Sequence, residues 1–299
     1  MKIEVAIPCY DEEVTIEKVV GDFQVALPEA EVVVYDNNSD DMSAVLAKKA
    51  GARVENVGRR GKGYVLQHVF ESSEADIIVV VDGDDTYEAQ DVKRLIEPLI
   101  TGKADMTVGT RLHAGAGEFR GMHHFGNRLL TWMLNWMFSV SFKDILSGYR
   151  GFNRKFVESV PLITTGFEIE TELMIQGLEN GLVIQEEPIR YRQRPEGSES
   201  KLNTFRDGYW ILSMMVGMVR DHRPLLTFTL MAIFTALFGA VLWIIGFIYG
   251  TEHALLNILR NIGALLGLVT IGLLLVGLLL NTISTRMKEL LSITRRKKI

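Results

Sequence analysis

Two stretches near the C-terminus carry no charged residue: Leu225 to Tyr249, 25 positions, and Ile262 to Leu280, 19 positions. As helices they would extend roughly 37 Å and roughly 28 Å, against a hydrocarbon core of about 30 Å. Apolarity all round a helix means either a buried core helix or a membrane span. The flanks favour spans. Arg220 and Arg223 precede the first stretch; Arg286, Lys288, Arg295, Arg296, Lys297 and Lys298 follow the second; the connector from Gly250 to Asn261 has Arg260 as its sole lysine or arginine. By the positive-inside rule this predicts a transmembrane hairpin in the cytoplasmic or an equivalent membrane, with the region before it and a basic tail (281–299) both on the cytoplasmic side.

The N-terminal two-thirds alternates between two periods. Ile3, Val5 and Ile7 read as a strand; Ile16, Val19, Val20, Phe23 and Leu27 form the apolar stripe of a helix. Strands follow at Val32–Tyr35, around Arg53–Val54, at Ile77–Val81 and near Met106–Val108, with helical patterns between them. Strands apolar on both sides and separated by helices imply a mostly parallel sheet covered on both faces. Ligands of such α/β sheets bind beyond the carboxyl ends of the strands. Pro8-Cys9-Tyr10-Asp11, Asp36 and Asp82 all stand at such ends and are expected in one crevice. The expected organisation is a catalytic domain over 1–203, a juxtamembrane amphipathic helix over 204–223, spans at 225–249 and 262–280, and the tail. Within the domain, residues 125–138 carry Trp132 and Trp136 on one helix face, a pattern that suits either the lipid interface or a buried core.

A net charge of −5 argues against a nucleic-acid binder. Cys9 is the sole cysteine, which excludes an internal disulfide and a cysteine metal cluster. Asp82-Gly83-Asp84, directly after the most apolar strand, places two carboxylates where a hard divalent cation, Mg²⁺ or Mn²⁺, could meet both and still accept substrate phosphates. Asp36 to Asp41 is either a turn with a helix cap or a loop in which Asp36 reads a base or ribose. Gly61-Lys62-Gly63 either opens a helix or brings backbone N–H groups and a cation to a nucleotide. Neither the NTPase phosphate loop nor the dinucleotide glycine turn fits this chain.

Taken in order, Ile7-Pro8-Cys9-Tyr10-Asp11-Glu12-Glu13, the Asp36 loop, Gly61-Lys62-Gly63, Asp82-Gly83-Asp84, Gly109-Thr110-Arg111, Gly126-Asn127-Arg128, Ser147-Gly148-Tyr149-Arg150, Gly166 to Glu172, and Arg194-Pro195-Glu196-Gly197-Ser198-Glu199-Ser200-Lys201 resemble the family 2 glycosyltransferases of the GT-A fold. With the hairpin, the chain is similar to the polyprenyl-phosphate (dolichol or undecaprenyl) glycosyltransferases over essentially its whole length. The resemblance implies a nucleotide-sugar donor, a uridine diphosphate sugar of glucose or N-acetylglucosamine, a polyprenyl phosphate acceptor, and a homo-oligomer, a tetramer being one form. Pro8, Tyr10, Asp11, Glu13, Asp36, Lys62, Asp82, Gly83, Asp84, Ser200 and Lys201 would bind the donor. Asp82 and Asp84 would hold the metal. Arg111, Arg128, Ser147 and Arg150 would meet the acceptor phosphate, with Asp84, Arg111, Arg128 and Ser147 the catalytic set. Asp144, Glu168 and Glu170 would shape the sugar pocket.

A sugar hydroxyl generally needs a carboxylate base, whereas a lipid phosphate is already ionised near neutral pH and needs positioning and charge neutralisation. Arginines supply both. The expected reaction is therefore in-line attack with inversion, without an assigned base. Two other readings compete. A processive polysaccharide synthase would carry a Gln-x-x-Arg-Trp element, which Gln193-Arg194-Pro195 does not match. A non-catalytic membrane subunit would have no need of an intact Asp82, Asp84, Ser200 and Lys201.

Overall fold

The computed structural model describes residues 1–111, 121–197, 209, 213, 216–217, 219–220, 223–249 and 254–296, with the backbone alone described at 121–125, 249, 254–256 and 288–296. It divides into two compact units, Met1–Leu212 and Ser213–Ile299.

The first unit is built on seven strands: β1 (Ile3–Cys9), β2 (Glu31–Asp36), β3 (Arg53–Asn56), β4 (Ile77–Val80), β5 (Met106–Thr110), β6 (Arg150–Asn153) and β7 (Ile184–Pro188). Their order across the sheet is β3-β2-β1-β4-β6-β5-β7. Pairing is parallel throughout except where β6 enters antiparallel between β4 and β5, with Val80 opposite Arg150 and Val108 opposite Arg150 on the other side. This is the expected mostly parallel α/β sheet. The two C-terminal strands carry no strong apolar alternation of their own; Arg-Gly-Phe-Asn and Ile-Gln-Glu-Glu-Pro become strands because the neighbouring edges need partners. The helices of this unit are α1 (Ile16–Ala26), α2 (Ser43–Lys49), α3 (Lys62–Ser72), α4 (Val92–Ile100), α5 (Gly121–Phe138), α6 (Arg154–Ser159) and α7 (Ile169–Glu179). The buried stripe Ile16, Val19, Val20 and Phe23 of α1 packs with Val5, Ile7, Val32, Val34 and Val79 of the sheet, so the core holds β1, β2 and β4 rigidly up to their carboxyl ends.

The second unit holds α8 (Pro224–Tyr249) and α9 (Ala254–Arg296). Both include stretches long and apolar enough to cross a membrane, Pro224–Ile248 and Asn257–Met287. The helices run antiparallel: Thr235 Oγ1 lies 3.0 Å from Thr270 Oγ1, and the Gly239 region meets Gly263 and Leu266. Gly263 is required by this approach, since a Cβ there would come within 2.7 Å of Trp243 N. Their outward faces are Leu, Ile, Val and Phe. Helix α9 begins at Ala254 rather than at Ile262 and continues through the expected tail. Arg260 interrupts the uncharged run but does not break a helix, because arginine is a good helix former. The juxtamembrane helix expected over 204–223 falls largely outside the described residues.

Candidate active site

The carboxyl ends of β1, β2 and β4 each lead into a loop with one non-glycine residue in the left-handed region: Asp11 (φ 51°), Asn38 (φ 62°) and Asp85 (φ 58°). Short polar side chains tolerate that conformation best, and such strain gathers at functional sites. Beside these loops opens a cavity of about 420 Å³, lined by residues that include Pro8, Tyr10, Glu12, Asn37, Arg60, Gly61, Lys62, Asp82, Gly83, Asp84, Tyr87, Arg111, Leu146, Phe167, Glu170, Tyr191 and Arg194. Its size suits a small-molecule ligand.

Two carboxylates from the turn after β4 enter this cavity, and each meets a cation. Lys62 Nζ donates to Asp82 Oδ1 at 2.5 Å and lies 2.7 Å from Glu170 Oε1. Arg194 bridges Glu12, at 3.1 Å, and Asp84. Asp84 also accepts from the Thr86 hydroxyl at 2.6 Å. Burial, and then the charge of Asp82, push the Asp84 carboxyl above its ordinary value. Burial works against the charge on Lys62, yet Asp82 and Glu170 together hold its pKa above the ordinary lysine value. Asp85 is turned elsewhere, to Lys18 at 2.7 Å and Arg192 at 3.2 Å. Among the described residues no group of three or more His, Cys, Asp or Glu side chains forms a metal cage. Two adjacent carboxylates, Asp82 and Asp84, still fit a hard divalent cation whose other ligands come from substrate oxygens.

Arg111, one residue beyond β5, also lines the cavity. Its Nε and Nη2 donate to Asp144 Oδ2 and Oδ1 at 2.6 and 2.8 Å, and its guanidinium lies 5.4 Å from the centre of the Tyr191 ring. Burial opposes ionisation of Asp144, but Arg111 holds its carboxyl below the usual range.

The expected donor residues divide into four groups. Pro8, Tyr10, Lys62, Asp82, Gly83 and Asp84 line the cavity. Asp36 lies just outside the lining, buried, with Oδ2 accepting from Ser39 N and Oδ1 without a partner. Asp11 and Glu13 do not line it: they stitch the β1 loop to the β2 loop, Asp11 Oδ1 accepting from Asp40 N at 2.8 Å and Glu13 Oε2 from Met42 N at 3.1 Å. Ser200 and Lys201 lie outside the described residues.

The acceptor set needs a correction. Arg150 does not reach the cavity; it is 1% exposed, and its guanidinium donates to the carbonyls of Ser147 (2.9 Å) and Ile145 (2.6 Å). Its place in β6, between two strands, turns it inward, and burial lowers its pKa to about 10. Ser147 is wholly buried in the same turn, and Arg128 is exposed on α5 away from the cavity lining. Glu168 accepts from Gly166 N at the start of α7 and is likewise off the lining, whereas Glu170 is on it. Arg150→Ala should therefore act on stability, costing about 2–4 kcal/mol through stranded carbonyls and a cavity, with substrate KM values little changed. A melting curve in detergent alongside steady-state kinetics checks this.

Reading the sequence missed Glu12, Asn37, Arg60, Tyr87, Tyr191 and Arg194. Asn37 holds the 57–61 loop by donating to Val57 O and Arg59 O while Gly61 N donates to its Oδ1, and Arg60 lies over the Tyr10 ring at 4.9 Å. Cys9 also lines the cavity but is 1% exposed, and burial pushes its thiol up to about 12. Because the folded value lies above the unfolded one, the thiol stays neutral below that pH, and stability drawn from it declines only as pH rises past the unfolded pKa. Native protein at pH 8 should resist alkylation by iodoacetamide for hours and react on unfolding, as intact mass will show.

The chain is similar to known proteins. Residues 4–160 match the family described as Glycosyl transferase family 2. The chain belongs to glycosyl transferase family 2. Among relatives, glycosyltransferase AglJ of Haloferax volcanii is 31% identical over 94% of this chain and 93% of its own length. The dolichyl-phosphate hexose transferase of the same organism is 28% identical over 74% and 95%. Glucosyl-3-phosphoglycerate synthase from Mycobacterium tuberculosis, solved with Mn²⁺, uridine diphosphate and phosphoglyceric acid, superposes with a TM-score of 0.59 at 21% identity over 74% of this chain and 78% of that one, a likeness of fold alone. This family 2 member thus has a GT-A-like domain followed by two long apolar helices.

Proposed function

We propose that this glycosyltransferase moves a hexose, from uridine diphosphate glucose or uridine diphosphate N-acetylglucosamine, onto a polyprenyl phosphate at the cytoplasmic face of a membrane spanned by α8 and α9. One observation carries the choice of acceptor. Each carboxylate lining the cavity, Glu12, Asp82, Asp84 and Glu170, is ion-paired to Arg194 or Lys62, and Asp144 behind the lining is spent on Arg111. A hydroxyl acceptor would need one of them as a base; an ionised phosphate needs none. The dolichyl-phosphate hexose transferase among the relatives supports the same reading, as do the two helices of membrane-crossing length.

In this mechanism a phosphate oxygen attacks the anomeric carbon while the bond to the leaving diphosphate breaks, inverting the centre. Arg111 orients the attacking phosphate and offsets its charge. Asp36 offers its unpartnered Oδ1 to the base or ribose, and Tyr10 and Arg60 close that end. Asp82 and Asp84 would hold Mg²⁺ or Mn²⁺, which when bound offsets the charge of the departing nucleoside diphosphate. Glu170 and Lys62 border the sugar. The protein is proposed to act as a homo-oligomer.

A transfer assay tests this. Purified protein in detergent is offered undecaprenyl or dolichyl phosphate with labelled uridine and guanosine diphosphate sugars, with Mn²⁺, Mg²⁺ or chelator. Label that partitions with lipid only when metal is present supports the proposal and identifies the sugar. No lipid product under saturating acceptor and metal overturns it.

A further inference from the structure

The carboxylate most deeply engaged on the acceptor side of the cavity has no use in the mechanism above. Asp144 accepts five donors: Arg111 Nε (2.6 Å), Arg111 Nη2 (2.8 Å), Arg111 N (3.3 Å), Asn127 Nδ2 (3.0 Å) and Leu146 N (3.4 Å). A carboxylate has about four lone-pair sites, so this one is saturated. Its own backbone is pinned as well, because Lys143 N and Asp144 N both donate to Glu186 Oε1 of β7, at 2.7 and 3.0 Å. On the far side of Arg111, Tyr191 presents its ring, and the 191–192 segment is tied to the metal loop by the Tyr87–Tyr191 bridge and by Arg192 N donating to Thr86 O at 2.9 Å. Arg111 is thus held between helix α5, through Asn127 and Asp144, and the loop that carries Asp82 and Asp84.

We propose that Asp144, with Asn127 and Tyr191, is a positioning assembly that fixes the guanidinium of Arg111 in one orientation as the receptor for the acceptor phosphate. This rests on the lipid-phosphate reading above. A guanidinium recognises phosphate through a planar fork, so its plane matters as well as its charge, and an unpinned arginine loses rotamer freedom on every binding event. Asp144 also cancels part of the charge of Arg111. Orientation and charge therefore make opposite predictions for Asp144→Asn: a loosened fork weakens the acceptor, whereas a more cationic wall strengthens it. The saturated, two-point geometry favours orientation.

The experiment compares full-length wild type with Asp144→Asn, Asn127→Ala and Tyr191→Leu, measuring KM for undecaprenyl phosphate, KM for the nucleotide sugar, kcat and the pH profile. The expected result is an acceptor KM raised about tenfold in Asp144→Asn and less in the other two, with donor KM within twofold and the acidic limb of the profile retained. Binding of a fluorescent short-chain prenyl phosphate should weaken in the same order, which guards against a variant that simply folds poorly. A fall in kcat with loss of the acidic limb would make Asp144 a base and overturn the proposal. A lowered acceptor KM, or a defect confined to the melting temperature, would overturn it too. If wild type itself neither glycosylates nor binds a prenyl phosphate, the acceptor reading fails and takes this inference with it; active wild type with unaffected variants defeats the inference alone.

Discussion

Asp84→Asn is expected to lower sugar transfer by about a thousandfold while leaving the protein folded. Asp84 is 6% exposed and lies beside Asp82 in the turn after the fully buried strand β4, where the diphosphate of the donor is proposed to depart. Withdrawing half of the proposed two-carboxylate metal site would forfeit transition-state charge stabilisation of several kcal/mol, and about 4 kcal/mol corresponds to about a thousandfold. Stability should respond differently. The raised pKa of Asp84 means that the fold disfavours its charge, through burial first and Asp82 second. Asparagine removes that charge and keeps the shape, while Arg194 keeps Glu12 as a partner. The metal-free melting temperature should change by no more than about 1 kcal/mol's worth. Binding of uridine diphosphate should at the same time lose its metal dependence. Activity within tenfold of wild type would show that Asp84 is not part of the metal site.

Gly148→Ala should reduce kcat/KM by at least about a hundredfold through geometry alone. A methyl group on Gly148 would overlap Asp82 Oδ2 and stand 2.9 Å from Lys62 Nζ, closer than ordinary van der Waals contact. The Asp82 side chain is short, so its carboxylate must rotate away, and the 2.5 Å contact with Lys62 must open. Overpacking of this kind costs about 1–3 kcal/mol of stability, which is compatible with folded protein. Gly21→Ala is the matched control. A Cβ at Gly21, within α1, meets nothing within 4 Å, so activity should be unchanged and stability should rise by about 0.5–1 kcal/mol from helix propensity. Equal activity in the two variants would show that the close approach of Gly148 to Asp82 is not needed for catalysis.

The arginines show where legibility ended. Arg111 and Arg150 each follow a small motif residue by one or two positions, and the pattern treats them alike. One forms the wall of a cavity and the other is locked inside a turn, because β6 inserts antiparallel between β4 and β5 and carries Arg150 with it. That insertion depends on edges more than 40 residues away in sequence, which no local period records. The same holds for Arg194, whose partners Glu12 and Asp84 lie 182 and 110 positions away.

By itself the sequence determined what local chemistry can specify. Alternating and helical periods marked β1, β2 and β4 and the helices between them, and so brought Asp36, Asp82 and Asp84 to one end of a parallel sheet. Uncharged length marked α8 and α9, since a helix's apolarity is a sum over its own residues. Tertiary structure alone decided which of those polar residues reach the cavity. Asp11 and Glu13 became stitches between loops, Arg150 a buried clamp, and Tyr87, Tyr191 and Arg194 members of the site. Burial and ion pairing depend on what the rest of the chain places alongside, and those are the quantities that set the charge and orientation of a reacting group.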